Sequence, residues 1–324
     1  MIINSGITFG SGIVFSAPPH GNPYGVFAFG SNNSSGYINT KNLVSDTGVL
    51  AGDSTGAGTS RSGLAACGYG TDKGIFAYGT IPLPPYSSQP VAVSNLLSNT
   101  GVIATDTSGV GVARWDPAAC TYGTDKGIFA YGATSGGTMI NTISRVSNTG
   151  VIAGDATGSG TVRYRLAACG YGTDKGIFGY GYTLNSYSVL SMTNLVSNTG
   201  TIATDTTGVG TARYLLAACS YGGDKGVFAF GGTITTGTGT QYVNRVSNTG
   251  VVSTDETVTN TIRQSVSSST FGVDKGIFGF GQLTSSLTQS STTTIVSSTG
   301  VFASDVTSTG VVREGTAGVG YSYT

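Results

Sequence analysis

Residues 163–181 read RYRLAACGYGTDKGIFGYG: a short apolar run, a glycine-bounded turn and a second apolar run. Small and aromatic residues in LAACGYG and GIFGYG suit strands, and the Gly-Thr-Asp-Lys-Gly between them suits a hairpin turn. The GIF half of this string, or a close variant, begins at Gly25, Gly74, Gly127, Gly176, Gly226 and Gly276. Steps of 49, 53, 49, 50 and 50 residues make six units of about fifty. Self-similarity at that period decides the fold before any single motif is weighed.

Each unit carries further fixed points. A turn reading SNTG or nearly so ends at Gly48, Gly101, Gly150, Gly200, Gly250 and Gly300. Five residues later stands an aspartate (Asp53, Asp106, Asp155, Asp205, Asp255, Asp305), and eight residues after it an arginine (Arg61, Arg114, Arg163, Arg213, Arg263, Arg313). All length variation falls between the GIF and SNTG glycines, which are 23, 27, 23, 24, 24 and 24 residues apart. Four short strands per unit is the natural count, and no segment shows helical spacing of apolar residues. Six such units predict an all-β chain folded as a six-bladed β-propeller, whose radial repetition leaves only short sheet edges. A linear β-solenoid is the alternative, but it favours shorter periods and polar caps.

The run from Arg163 resembles the start of a kelch repeat: an arginine, a small-residue strand, a turn and an IYVFGG-like strand. The following NLVSNTGTIATDTTGVGTAR resembles the later kelch strands in length and order. The resemblance spans nearly the whole chain and implies four-stranded kelch-like blades. The sequence departs from the pattern in having paired glycines in one unit only, Gly231 and Gly232, and in lacking the fourth-strand tryptophan. The glycine-rich array and the opening GITFGSGI also resemble virion and tail-associated proteins of bacteriophages, in texture rather than in a site motif.

Aligned on the arginines, the tail from Arg313 reaches only the end of one further first strand. The C-terminal strand near Val319–Tyr323 is therefore expected to become the inner strand of the first blade and close the ring. Pro18, Pro19 and Pro23 disfavour a central strand before Gly25. The expected division is an extension or anchoring strand over 1–20 and a propeller over 21–324, the extension pairing within the chain or with a neighbour through edge addition.

Composition excludes several classes. Only 9% of the 324 residues are charged and the formal net charge is zero, so no basic patch recruits nucleic acid or an anionic membrane. No stretch approaches the roughly 18 apolar residues of a membrane span. The start MIINSGITFG has no basic and apolar leader, so export by that route is not expected.

The recurring charges invite a catalytic or metal reading. With the pairs Asp72-Lys73, Asp125-Lys126, Asp174-Lys175, Asp224-Lys225 and Asp274-Lys275, they account for 22 of the chain's 30 charges. A charge repeated in every blade fixes every blade, so the arginines are expected to bond aspartates or carbonyls and the Asp-Lys pairs to cap hairpins. Calcium wants 6 to 8 oxygens, and these acids are not clustered in sequence; no metal or other cofactor is expected. Cys67, Cys120, Cys169 and Cys219 share one position in four units, where Ser269 and Val319 stand in the others, which reads as a size requirement. His20 is the only histidine, and no nucleophile-elbow motif accompanies a helix, so no enzyme is expected. The recurring aromatics, such as Phe76 and Tyr78, are core residues alternating on the second strand.

Individuality lies elsewhere. In an up-and-down blade the GTDKG and SNTG turns share one face, which is therefore uniform. The opposite face receives the variable segments 31–42, 80–94, 133–143, 182–193, 232–243 and 282–294. Their Ser, Thr, Gly and Asn, with Tyr37, Tyr86, Tyr182, Tyr187 and Tyr242, and with the single Trp115, form the candidate ligand-binding set. The expectation is a non-enzymatic structural and interaction protein of the virion or phage-tail kind, contacting other assembly subunits or a host-surface glycan or protein. A stand-alone carbohydrate-binding propeller is the alternative.

Overall fold

Strand pairing builds the molecule. The computed structural model describes residues 22–83, 87–234 and 239–322, which are nearly all β; a 3-10 turn at Ser135–Gly137 is the only helical element among them. The extension 1–20, His20 and Tyr86 lie outside the described residues.

Six antiparallel sheets repeat one pattern. The inner strands are Ala317–Tyr321, Ala65–Tyr69, Ala118–Tyr122, Ala167–Tyr171, Ala217–Tyr221 and Ser267–Phe271. Each pairs with a GIF strand, in the order Tyr24–Ala28, Lys73–Ala77, Lys126–Ala130, Lys175–Gly179, Lys225–Ala229 and Lys275–Gly279. A third strand follows in every blade. An outer strand, for example Ala156–Thr157, completes four blades; in the second and fourth it shrinks to the single bridges Ser94↔Thr107 and Thr193↔Thr206. Each inner strand contacts the inner strands of the blades on either side, and the sixth contacts the first. The chain is thus a six-bladed β-propeller, and Ala317–Tyr321 closes it by pairing residue for residue with Tyr24–Ala28.

The core lies between blades, so the GIF strands, sandwiched on both sides, are buried nearly throughout. Phe76 faces the first blade with Phe29 and Val26, while Ile75, Ala77 and Tyr78 face Phe129 of the third. The expected alternation of Phe76 and Tyr78 within the strand is corrected here. Tyr78 lies one residue past the strand end with φ 67°, and that left-handed turn carries its ring to the opposite face from Phe76. Gly79 follows with φ 98°, a conformation only glycine adopts cheaply. All six blades repeat this aromatic-glycine pair.

The GIF glycines answer a different need. A Cβ at Gly127, Gly176, Gly226 or Gly276 would overlap Sγ of Cys67, Cys120, Cys169 or Cys219 on the preceding inner strand. Ser269 and Val319 fill the same slot against Gly25 and Gly74. All four thiols are free and buried, and burial pushes that of Cys169 up to about 12.

The recurring arginines clamp neighbouring blades. Arg163 is fully buried, its guanidinium 4.4 Å from the ring centre of Tyr131. It donates to Asn194 Oδ1 (2.5 Å) and lies 3.7 Å from Asp205, both in the next blade. Asp205 in turn accepts from Asn194 Nδ2 (2.9 Å) and from the Thr161 amide and hydroxyl (3.0 and 2.7 Å). The ring-closing junction uses the same parts, with Arg313 donating to Asn42 (2.6 Å) and lying 3.8 Å from Asp53. Ion pairs of this kind also join Arg61 to Asp106, Arg114 to Asp155 and Arg213 to Asp255, while Arg263 donates to Thr294 beside Asp305.

Candidate functional site

Antiparallel pairing puts the inner and outer hairpin turns at one end of every blade and the variable hairpins at the other. At the uniform end the inner turns are laced together by backbone bonds: Gly70 N–H to Asp125 O, Gly123 to Asp174, Gly172 to Asp224, Gly222 to Asp274, Gly272 to Pro23 and Ser322 to Asp72, all 2.7–3.0 Å. Four of the Asp-Lys pairs there are ion pairs of 2.7–2.9 Å within a single turn. Those charges are neutralised locally and repeated around the ring, so they single out no site.

The other end is built on a second belt. Two residues after each arginine stand Gly63, Asp116, Arg165, Leu215, Ser265 and Gly315, all left-handed, with φ between 47° and 64°. Five bonds link them across blades. Gly63 N–H donates to Gly315 O, Asp116 to Gly63, Arg165 to Asp116, Leu215 to Arg165 and Ser265 to Leu215, at 2.8–3.1 Å. For a residue with a Cβ this backbone costs about 1–2 kcal/mol more than for glycine. Six equivalent backbones thus carry five kinds of residue, four of them with side chains that glycine would spare.

One residue before the belt, Ser62, Trp115, Tyr164, Tyr214, Gln264 and Glu314 each bridge to the start of a variable hairpin, as in Trp115↔Ala133 and Tyr164↔Tyr182. Belt, bridges and hairpins enclose an axial bowl of about 690 Å³, to which all six blade connections contribute. Its two sides differ. Gly63, Gly315 and Ser265 leave one side open, and the other carries Asp116 and Arg165 in an ion pair of 3.0 Å. The Arg165 guanidinium lies 5.1 Å from the Tyr164 ring centre, 5.6 Å from Trp115 and 5.9 Å from Tyr214. Burial pushes the Asp116 carboxyl above its ordinary range against the pull of Arg165, with Glu314 adding to the rise. Arg165 is held protonated: Asp116 and Tyr164 outweigh its own burial.

The structure sorts the sequence candidates. Tyr37 and Trp115 line the bowl. Tyr182 packs between Tyr164 (5.7 Å) and Tyr214 (5.9 Å) behind the wall. Tyr187 sits at a hairpin tip, 73% exposed, away from the cavity. Tyr242 begins a third strand and pairs with Thr257, which makes it part of a sheet rather than of the bowl. Sequence reasoning passed over Asp116, Arg165, Tyr214, Gln264 and Glu314. The signal was present: between the fixed arginine and the next inner strand, two columns each carry five kinds of residue over six units. Of the eight charges outside the repeat pattern, 30 less 22, three (Asp116, Arg165 and Glu314) stand at this bowl.

Among the described residues no helix is long and apolar enough to cross a membrane, and no group of three or more His, Cys, Asp or Glu is placed to hold a metal. No family model matches the chain, and no curated protein matches it.

Proposed function

We propose that this propeller is a non-enzymatic interaction protein that presents its variable face to a partner, as a virion or tail-associated component of the bacteriophage kind with kelch-like blades. One observation carries the reading: side-chain individuality converges on a single end of the ring, where the hairpins vary and the bowl opens. The opposite end repeats one chemistry. There the valine after the SNTG turn is 57–66% exposed in five blades (Val49, Val102, Val151, Val251 and Val301), a surface suited to stacking on another subunit about the propeller axis. The variable end then faces outward, toward a host-surface glycan or protein. Solution mass and electron microscopy test this. Ordered oligomers, or rings seated on a partner, are expected; a monomer at every concentration that still binds glycans overturns the assembly role. That outcome favours the second reading, a stand-alone carbohydrate-binding propeller, which the bowl's mix of aromatic and hydrogen-bonding groups supports.

A further inference from the structure

At the belt, left-handed residues with side chains stand around one cavity on a backbone that glycine takes in two of the six units. Glycine at Gly63 and Gly315 takes the belt backbone without a side chain, so the belt itself does not require Asp116, Arg165, Leu215 or Ser265. Backbone outliers that the surrounding structure holds in place concentrate at ligand sites, and these four surround one cavity. Its volume of about 690 Å³ lies within the range of small-molecule pockets, roughly 300–1,000 Å³.

Charge narrows the occupant. Arg165 is neutralised by Asp116, so no unpaired cation awaits an anionic ligand, and the bowl's other charged side chain, the carboxylate of Glu314, accepts from Gln289 Nε2 (3.3 Å). A cationic ligand would compete for aromatic faces that the Arg165 guanidinium already approaches. A side-by-side carboxylate and guanidinium offer an acceptor next to a donor, which matches neighbouring hydroxyls, since each hydroxyl both gives and receives a hydrogen bond. Gln264 and Ser265 extend that polar array, and Tyr37 supplies aromatic surface from the first blade.

We propose that the axial bowl binds a neutral polyhydroxylated ring, the terminal sugar of a glycan, through Asp116, Arg165, Gln264 and Ser265 with Tyr37 and Trp115 as apolar walls. This rests on the variable end being the contact face and adds where on that face the ligand sits and what it is.

The test uses saturation-transfer NMR and calorimetry on the full chain, with neutral hexoses and N-acetylhexosamines as probes and a uronic acid and a quaternary ammonium compound as comparators. Neutral sugars are expected to bind and the comparators to bind at least tenfold more weakly. Ser265→Leu, which repeats the residue that Leu215 already places on the same backbone, fills the open side; it is expected to weaken sugar binding at least tenfold with an unchanged melting temperature. Arg165→Gln is expected to weaken sugar binding as well, with a lower melting temperature because the buried Asp116 carboxylate loses its partner. No saturation transfer from any neutral sugar, preference for a comparator, or indifference to Ser265→Leu overturns the proposal. Adhesion to glycan-coated beads separates the two levels, using Tyr187→Ala and Leu287→Ser, the latter at an exposed leucine of the variable segment 282–294. Loss in these two variants with no effect of Ser265→Leu removes the bowl and keeps the face; no effect of any of these changes removes both.

Discussion

At the scale of single residues, the GIF glycine and the cysteine form one fitted pair split between two blades. Gly176 has an ordinary backbone, so its role is space for Cys120 Sγ. Gly176→Ala is expected to cost about 1–3 kcal/mol through overpacking. Urea unfolding should show much of that loss recovered when Cys120→Ala is added, because the two sites couple through one contact. The same burial governs the thiols' chemistry. Burial raises the folded pKa of Cys169 to about 12, above an unfolded value near 8.5. The folded chain therefore holds a proton that the unfolded chain releases, and this contribution to stability is present below about pH 8.5 and is lost as pH rises toward 12. A falling melting temperature across pH 8.5–10, with no thiol titratable by a disulfide reagent until the chain unfolds, is the expected result; four reactive thiols in the native protein would contradict it. The sequence conveyed this much directly, because serine and valine in the same slot declare a size requirement.

At the scale of strands and junctions, the buried arginines show what spacing alone does not reveal. In sequence each aspartate lies eight residues before its unit's arginine, yet the ion pair forms with the aspartate of the following blade. Radial packing brings together partners that stand 41–45 residues apart in the chain, as Arg61 and Asp106 or Arg114 and Asp155 do. Asp205→Ala removes acceptors for Thr161 and Asn194 and the charge facing Arg163, and is expected to cost about 2–4 kcal/mol, measured by chemical denaturation. Burial would raise the carboxyls of Asp106, Asp205, Asp255 and Asp305, but hydrogen bonds from threonine and a second polar side chain outweigh it and hold each below the ordinary value. Their stabilisation is therefore complete above an unfolded pKa near 3.9 and is lost as pH falls below it. Circular dichroism should show a cooperative acid transition in that range, shifted to higher pH in Asp205→Ala, where less stability remains to be lost. The belt was hidden for a related reason. Its left-handed backbone is a tertiary property, and a column reading Gly, Asp, Arg, Leu, Ser, Gly looks in sequence like drift between two motifs.

At the scale of the whole molecule, the period made the ring legible and the truncated last unit made its closure legible, since a lone first strand at the C terminus has no other edge to complete. The closure is more than a matter of counting. Because Ala317–Tyr321 and Tyr24–Ala28 share a sheet, the first blade forms only when both ends of the chain have met, and the Arg313 clamp locks the same junction to Asn42 and Asp53. Every other blade is contiguous in sequence. A circular permutant that begins at Gly315 and runs through the tail into Asn22 makes the first blade contiguous too, leaving all blade-to-blade clamps intact but no sheet spanning the two ends. It is expected to fold to the same structure, because inner-strand contacts and clamps do not depend on chain order. Its sixth-to-first junction, however, is then held by side chains, belt contacts and the Ser31↔Glu314 bridge with no continuous chain crossing it, so calorimetry should show a lower melting temperature and a broader transition than for the natural order. Equal stability in the two orders would mean that the six clamps and two belts suffice to shut the ring, and that the shared blade contributes nothing beyond them.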